Sequence, residues 1–283
     1  MAQSTLLALS ALLLLGVLLF LVYQTLLIRR DLGQLTMLVR KVPQKVNRQL
    51  SPGGQWWRLF SKKLMNETKQ IEAMISIGHA PAWHFSTRKW AASPDVLWLL
   101  TSLVGRIDAK NILDIGSGLS TIRLAQASSI DCRIISIDSS LEFAQRTKAL
   151  VDLAGLTSRV EIRSSGLTEY LIDGVHTTWY EQSVLDGTLA LDLVFVDGPP
   201  ASNGSYARFA ALPLIYERLA ADCILVLDDL VREDEQRVFE RWLQMYPEFS
   251  SAVLDLEKGV GLLGRGKWHA LIADLGAPES SPA

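Results

Sequence analysis

Four times between positions 111 and 229 a short, largely apolar run comes to an aspartate: Asn111 to Leu113 at Asp114, Arg133 to Ile137 at Asp138, Leu191 to Val196 at Asp197, and Ile224 to Leu227 at Asp228-Asp229. Apolar strands of this kind, alternating with amphipathic helices, predict a parallel sheet buried on both faces. In such sheets the ligand lies outside the carboxyl ends of the strands. One or two aspartates there would pass as turn or cap residues. Five at one edge point to a cleft that collects them.

The first run leads into Ile115-Gly116-Ser117-Gly118-Leu119-Ser120-Thr121. Gly116 and Gly118 remove Cβ atoms where the backbone has to turn tightly and approach a ligand, and Ser120 or Thr121 is placed to cap a helix over Ile122 to Ala127. A dinucleotide turn, G-x-G-x-x-G, needs a third glycine where Thr121 stands. The pattern therefore points to S-adenosylmethionine, with Asp114 facing its cationic amino end. An ordinary strand-to-helix turn is the alternative reading of these residues. Asp138 closes the second strand of a βαβ unit, where a carboxylate accepts both ribose hydroxyls; it could instead cap the helix Leu141 to Ala154. Val160 to Arg163 reads as a further strand, and Ser164-Ser165-Gly166 after it could line an adenine edge.

Asp197, Asp228 and Asp229 come from neighbouring strands in this arrangement. Three converging carboxylates without a counter-charge repel and raise one another's pKa values, and a divalent cation resolves the conflict. Hard oxygen ligands suit Mg²⁺ or Mn²⁺, which would lower the pKa of a bound hydroxyl. The competing assignment makes Asp197 a turn residue with Gly198 and Asp228 or Asp229 a cap for the helix Glu233 to Tyr246. Arg208 and Arg232 lie just past these strand ends, able to bind an anionic acceptor group or simply to form surface ion pairs. Trp179 and Tyr180 wall an acceptor pocket or fill core. His79 and His84 precede the first core strand, where a lid could sit.

The motifs Leu113 to Thr121, Trp179-Tyr180, Leu193 to Pro200, Ala207 to Leu214 and Leu225 to Trp242 occur in order along the chain. Between about Ser93 and Leu263 the sequence resembles a class I S-adenosylmethionine-dependent methyltransferase. The resemblance implies an α/β, Rossmann-like fold: a seven-stranded, mostly parallel sheet with helices on both faces and its last strand inserted antiparallel. Ser251 to Leu256, Gly259-Val260-Gly261 and Leu262 to Arg265 resemble its terminal hairpin. Catechol-type O-methyltransferases of this fold carry a metal-binding aspartate after the fourth strand and an Asp-Asn pair after the fifth, matched here by Asp197 and by Asp228-Asp229, with aspartate in place of asparagine. The implied cofactor set is Asp114, Gly116, Ser117, Gly118, Ser120, Thr121, Asp138, Ser139 and Ser165. Asp197, Asp228 and Asp229 form the catalytic and metal set, and Arg208, Arg232, Trp179 and Tyr180 the acceptor set.

Ahead of this domain, Leu6 to Ile28 contains no charged side chain. As a helix it would measure about 35 Å, enough to cross a bilayer core. It lacks the basic start and small-residue cleavage site of a signal peptide, so it reads as a transmembrane anchor. Nine basic residues against Asp31 alone follow between positions 29 and 63, which orients the rest toward the cytoplasm, at a bacterial inner membrane. Trp56, Trp57, Leu59 and Phe60 interleave with Arg58, Lys62 and Lys63, as in an element lying on the membrane surface or a helix packed on the domain. The chain's formal charge of −2 leaves about −10 outside that segment, which disfavours a nucleic-acid partner. Cys132 and Cys223 read as unpaired core residues and make no zinc site.

The expected organisation is an anchor at 6–28, a basic linker at 29–63, a catalytic domain at 64–275 and a Pro- and Ser-rich tail at 276–283. The expected activity is methyl transfer from S-adenosylmethionine to an oxygen of a small-molecule, lipid-linked or glycan acceptor at the membrane. A tethered scaffold without catalysis and an aminopropyl-transfer enzyme of similar fold are the competing readings.

Overall fold

The computed structural model describes residues 55–77, 91–188 and 190–276. The apolar segment Leu6–Ile28, His79, His84 and the tail beyond Gly276 lie outside these residues, as do the side chains of Trp56 and Trp57. No described helix is long and apolar enough to cross a membrane. The chain divides after Met65 into two units, and the second, Asn66–Ala283, carries the sheet.

Helix α1 covers Gln55–Ile77, so an ordered element begins inside the stretch expected to be linker. Helix α2, Pro94–Ile107, has proline in its first turn, where no amide partner is needed, and ends at Asp108 with φ +48°. Then follow β1 (Asn111–Ile115), α3 (Leu119–Ala127), β2 (Arg133–Asp138), α4 (Leu141–Leu153), β3 (Val160–Ser164), β4 (Leu167–Ile172), β5 (Val175–Tyr180) and β6 (Leu191–Val196). The chain continues with α5 (Ala211–Ile215), β7 (Leu219–Leu227), α6 (Glu233–Met245), β8 (Ser250–Leu254), β9 (Val260–Arg265) and α7 (His269–Gly276). Gly276 thus closes a helix instead of opening the tail.

Seven strands form one sheet in the order β3-β2-β1-β6-β7-β9-β8. β1 pairs in parallel with β2 and β6, β2 with β3, and β6 with β7, whereas β9 runs antiparallel between β7 and β8. The continuous apolar runs have a direct cause. Successive residues point to opposite faces, and both faces are covered: Leu113, Val194 and Leu225 join a core with Trp179, Phe209 and Trp242, while Ile112, Leu193 and Ile224 join one with α2 and Leu124 of α3.

Three local departures from the sequence reading have physical reasons. Strand β7 starts at Leu219, five residues before Ile224, because Leu219 already pairs with Leu191 across a register shift. α3 starts at Leu119, so Ser120 and Thr121 lie inside its first turn and Gly118 stands at the N-cap; the Gly118 amide donates to Thr121 Oγ1 at 3.1 Å. The hairpin of β4 and β5, unanticipated, is joined by Asp173-Gly174 with φ +49° and +75°, the left-handed pair of a two-residue turn.

Candidate active site

Backbone pairing runs one residue past the strand ends. The Gly116 amide donates to Ile137 O at 2.9 Å, Asp197 N to Ile115 O at 2.8 Å and Asp228 N to Val196 O at 3.1 Å. The residues that follow β1, β6 and β7 therefore stand beside the end of β2 along one edge. Gly116 has φ +107°, and a Cβ there would come 2.9 Å from the Asp197 carbonyl oxygen, so only glycine fits. The edge encloses a cleft of about 110 Å³. Gly116, Ser117, Asp138 and Phe143 line its β2 end; Asp197, Arg208, Asp229, Arg232 and Lys258 line its β7–β9 end.

At the β2 end, Asp138 Oδ2 accepts from Ser117 N at 3.1 Å and Ser117 Oγ at 2.7 Å, and Oδ1 accepts from Ser140 N at 2.8 Å. Ser140, not Asp138, caps α4, accepting from Phe143 N. The Asp138 carboxylate is thus a preset hydrogen-bond acceptor facing a cavity, the arrangement a pair of hydroxyls requires. Ser139 follows Asp138 and is half-buried, and the Ser165 amide donates to Asp138 O at 3.0 Å. Neither serine is among the residues that line the cleft. Tyr180 lines the cleft while Trp179, fully buried, packs edge-on against it at 5.2 Å.

Asp114 does not face the cleft. It is fully buried beneath the glycine turn, where Thr121 Oγ1 donates at 2.5 Å, Ser136 Oγ at 3.1 Å and Ser120 Oγ at 3.2 Å. Two of these hydroxyls reach it because α3 begins three residues sooner than expected, turning Ser120 and Thr121 inward, and the third comes from Ser136 on β2. Asp114, Ser120 and Thr121 therefore shape the turn from below, leaving Gly116 and Ser117 as the turn residues that line the cleft.

At the other end, oxygens of Asp197, Asp228 and Asp229 lie within 4.8 Å of one another. The expected absence of a counter-charge is corrected by Arg208, which is 3% exposed and so not a surface residue. Its Nη2 donates to Asp197 Oδ1 at 3.0 Å and to Asp229 Oδ2 at 2.7 Å, and Nη1 to the Asp228 carbonyl at 2.8 Å. A planar guanidinium can bridge two strand ends in this way where an ammonium could not. Arg232 Nη1 lies 2.9 Å from Asp229 Oδ2, and Lys258 Nζ 3.9 Å from Asp229 Oδ1. Neither Asp228 nor Asp229 caps α6, whose N-cap is Arg232.

Burial, then the negative charge of Asp228, pushes the Asp197 carboxyl well above its ordinary range, opposed by Arg208. Burial and Asp229 push Asp228 up to about 6. Both Asp228 side-chain oxygens are buried without a hydrogen-bond partner. A buried carboxylate left so must hold a proton or meet a cation. The donor set is all oxygen, and with Asp228 open on both oxygens it fits a hard divalent cation, Arg208 supplying part of the neutralisation.

Residues 113–230 match the family described as a methyltransferase domain, on the sheet order and strand-end site just described. Over these residues the folded unit is similar to a methyltransferase domain. The chain is similar to a catechol O-methyltransferase of Niastella koreensis, with 30% identity over 146 residues, 51% of this chain and 59% of that protein; it thus spans under two thirds of this relative. The folded unit also resembles an O-methyltransferase from Bacillus cereus solved with SAH, at TM-score 0.50 and 20% identity over 70% of this chain and 91% of that one. An SAH-bound methyltransferase from Podospora anserina gives TM-score 0.51 and 16% identity over 70% and 87%. These structural likenesses establish the fold.

Four residues that line the cleft, Phe143, Gly198, Pro200 and Lys258, were absent from the set expected from the sequence. Phe143, 44% exposed, sits on the first turn of α4, and its spacing from Asp138 could have flagged it as a platform for a ring. Lys258 precedes Gly259 in the turn between β8 and β9, a weak signal. Arg208 enters the site from the turn Tyr206 to Phe209, in which Phe209 N donates to Tyr206 O at 2.9 Å.

Asp114 supplies a stability test of this assignment. Its pKa is raised from 3.8 to about 7, mainly by burial. Between those values the folded chain holds a proton that the unfolded chain has released, so this contribution is full below 3.8 and is lost as pH rises toward 7. Asp114→Asn is expected to remove it: the stability of wild type relative to the variant should fall from pH 4 to pH 7 in urea titrations, by roughly 2 kcal/mol or more. A difference independent of pH would contradict the buried placement of Asp114.

Proposed function

We propose that this chain is an O-methyltransferase that moves the methyl group of S-adenosylmethionine to an oxygen of a small-molecule, lipid-linked or glycan acceptor at a membrane. The observation that carries the reading is that Asp138, Gly116 and Ser117 share one cleft with Asp197, Asp229, Arg232 and Lys258. The likeness to a catechol O-methyltransferase and to O-methyltransferase structures supports it. Asp138 would take the ribose hydroxyls and Phe143 would cover the adenine, which directs the sulfonium toward Asp197. The acceptor O–H then gives its proton to Asp197, the oxygen attacks the methyl carbon in line, and the sulfur keeps the electron pair of the broken bond, leaving a neutral thioether. Arg232 and Lys258 would receive an anionic group on the acceptor.

Asp197, Asp228 and Asp229 would hold Mg²⁺ or Mn²⁺. Such an ion supplies a lowered pKa to an acceptor hydroxyl. Chelation is expected to abolish turnover of a catechol carboxylate probe, with recovery on adding Mg²⁺, while calorimetry shows cofactor affinity nearly unchanged. Full turnover in chelator would remove the metal and leave Asp197 as the base alone.

We also propose that Leu6 to Ile28 anchors the protein and that the basic residues after it keep the catalytic domain in the cytoplasm, where the cofactor is made. A C-terminal fluorescent-protein fusion should be bright. Strong activity of a C-terminal periplasmic phosphatase fusion would overturn this orientation.

A further inference from the structure

Asp95, in the first turn of α2, is 5% exposed, yet it accepts four hydrogen bonds from three separate stretches of chain. Its Oδ2 takes Gln70 Nε2 and the Glu257 amide, each at 2.8 Å; its Oδ1 takes Ser93 Oγ at 2.5 Å and Val96 N at 2.9 Å. Gln70, also buried, answers by accepting from Asp95 N at 3.1 Å. A buried carboxylate is a costly way to dock helices, which apolar contact does as well. What it adds is a fixed direction for the Glu257 amide.

Glu257 opens the turn that carries Lys258. The inner side of that turn is paired with the strand-end segment: Val231 N donates to Lys258 O at 2.9 Å and Leu230 N to Gly259 O at 3.0 Å. Those two bonds hold the residues just after Asp229, whose φ of +63° is unusual for a non-glycine residue. The outer side is tied by Asp95 and by Lys258 Nζ, which donates to Ala91 O at 2.9 Å.

We propose that Gln70 and Asp95 are positioning residues that clamp the Glu257–Gly259 turn, and through it set Lys258 and the backbone of Asp229 at the β7–β9 end of the cleft. That this end receives the acceptor rests on the function proposed for the site; the clamp itself is read directly. In full-length Gln70→Ala, amide exchange over residues 255–261 and 229–232 should speed by about tenfold, the loss of a charge-assisted hydrogen bond, and acylation of Lys258 should accelerate. Exchange over 111–121 and 133–140 should match wild type, and SAH affinity should stay within about twofold, as for an independent site. Should Gln70→Ala fail to fold, Ser93→Ala loosens the same carboxylate and is read the same way. Unchanged exchange and Lys258 labelling overturn the clamp. So does exchange that rises throughout the sheet, which would reduce Gln70 and Asp95 to general stabilisation. Absence of SAH binding by the wild type would instead defeat the proposed function, with the loop readings still deciding the clamp.

Discussion

Asp197→Asn is expected to lower kcat by about a thousandfold on a catechol carboxylate probe and leave cofactor affinity unchanged, because general-base catalysis is worth that much and the residue lies away from Asp138. The amide keeps an acceptor for Arg208 Nη2, which donates to Asp197 Oδ1 at 3.0 Å, so the fold should survive the change. What it loses is the basic oxygen whose pKa burial and Asp228 hold up. The same substitution removes an ionised ligand, so it should cost at least as much as chelation. Steady-state kinetics beside calorimetry separates the effects. Near-full kcat in Asp197→Asn would remove this carboxylate from the chemistry.

The second large effect is expected at the opposite end of the cleft. Asp138→Ala should weaken S-adenosylmethionine binding by about 2 kcal/mol, roughly thirtyfold in Kd, through loss of a charge-assisted bidentate acceptor. The substitution also frees the Ser117 hydroxyl, now 2.7 Å from Asp138 Oδ2, which could partly replace the lost contacts and caps the effect at that order. Calorimetry on the full-length protein should show this loss, with unchanged affinity in the variant ruling out Asp138 as the ribose ligand.

The parallel sheet was legible because burial on both faces writes itself into each strand as an unbroken apolar run, and because each run ends where a short polar turn must begin. The antiparallel pairing of β9 came from the resemblance, since nothing in Val260 to Arg265 distinguishes its direction. Orientation and long-range partnership were not legible. Asp114 and Asp138 look alike as acids near strand ends, yet one is buried under hydroxyls from Ser120, Thr121 and Ser136 and the other faces the cavity. The difference is the start of α3, a matter of three residues, and helix boundaries are the part of a pattern least fixed by periodicity.

Arg208 shows the same limit from the side of charge. Arginine just past a strand end is ordinarily a surface residue, and the sequence carries no mark of the three strand-end aspartates folding around it. Its partners are 11 and 21 positions away for Asp197 and Asp229, a spacing with no local regularity. The carboxylate cluster could be inferred from strand ends alone; its internal counter-ion could not. Glu235, ion-paired with Arg208 at 3.8 Å from the first turn of α6, was hidden for the same reason.

On the function proposed, one cleft holds the cofactor at Asp138 and aims its sulfur at Asp197. A crystal structure of the full-length protein with S-adenosylhomocysteine tests it most directly. The ribose hydroxyls should be found on Asp138, the adenine against Phe143 and the sulfur between Gly116 and Asp197. A ligand bound elsewhere on the domain, or one whose ribose does not touch Asp138, would contradict the account.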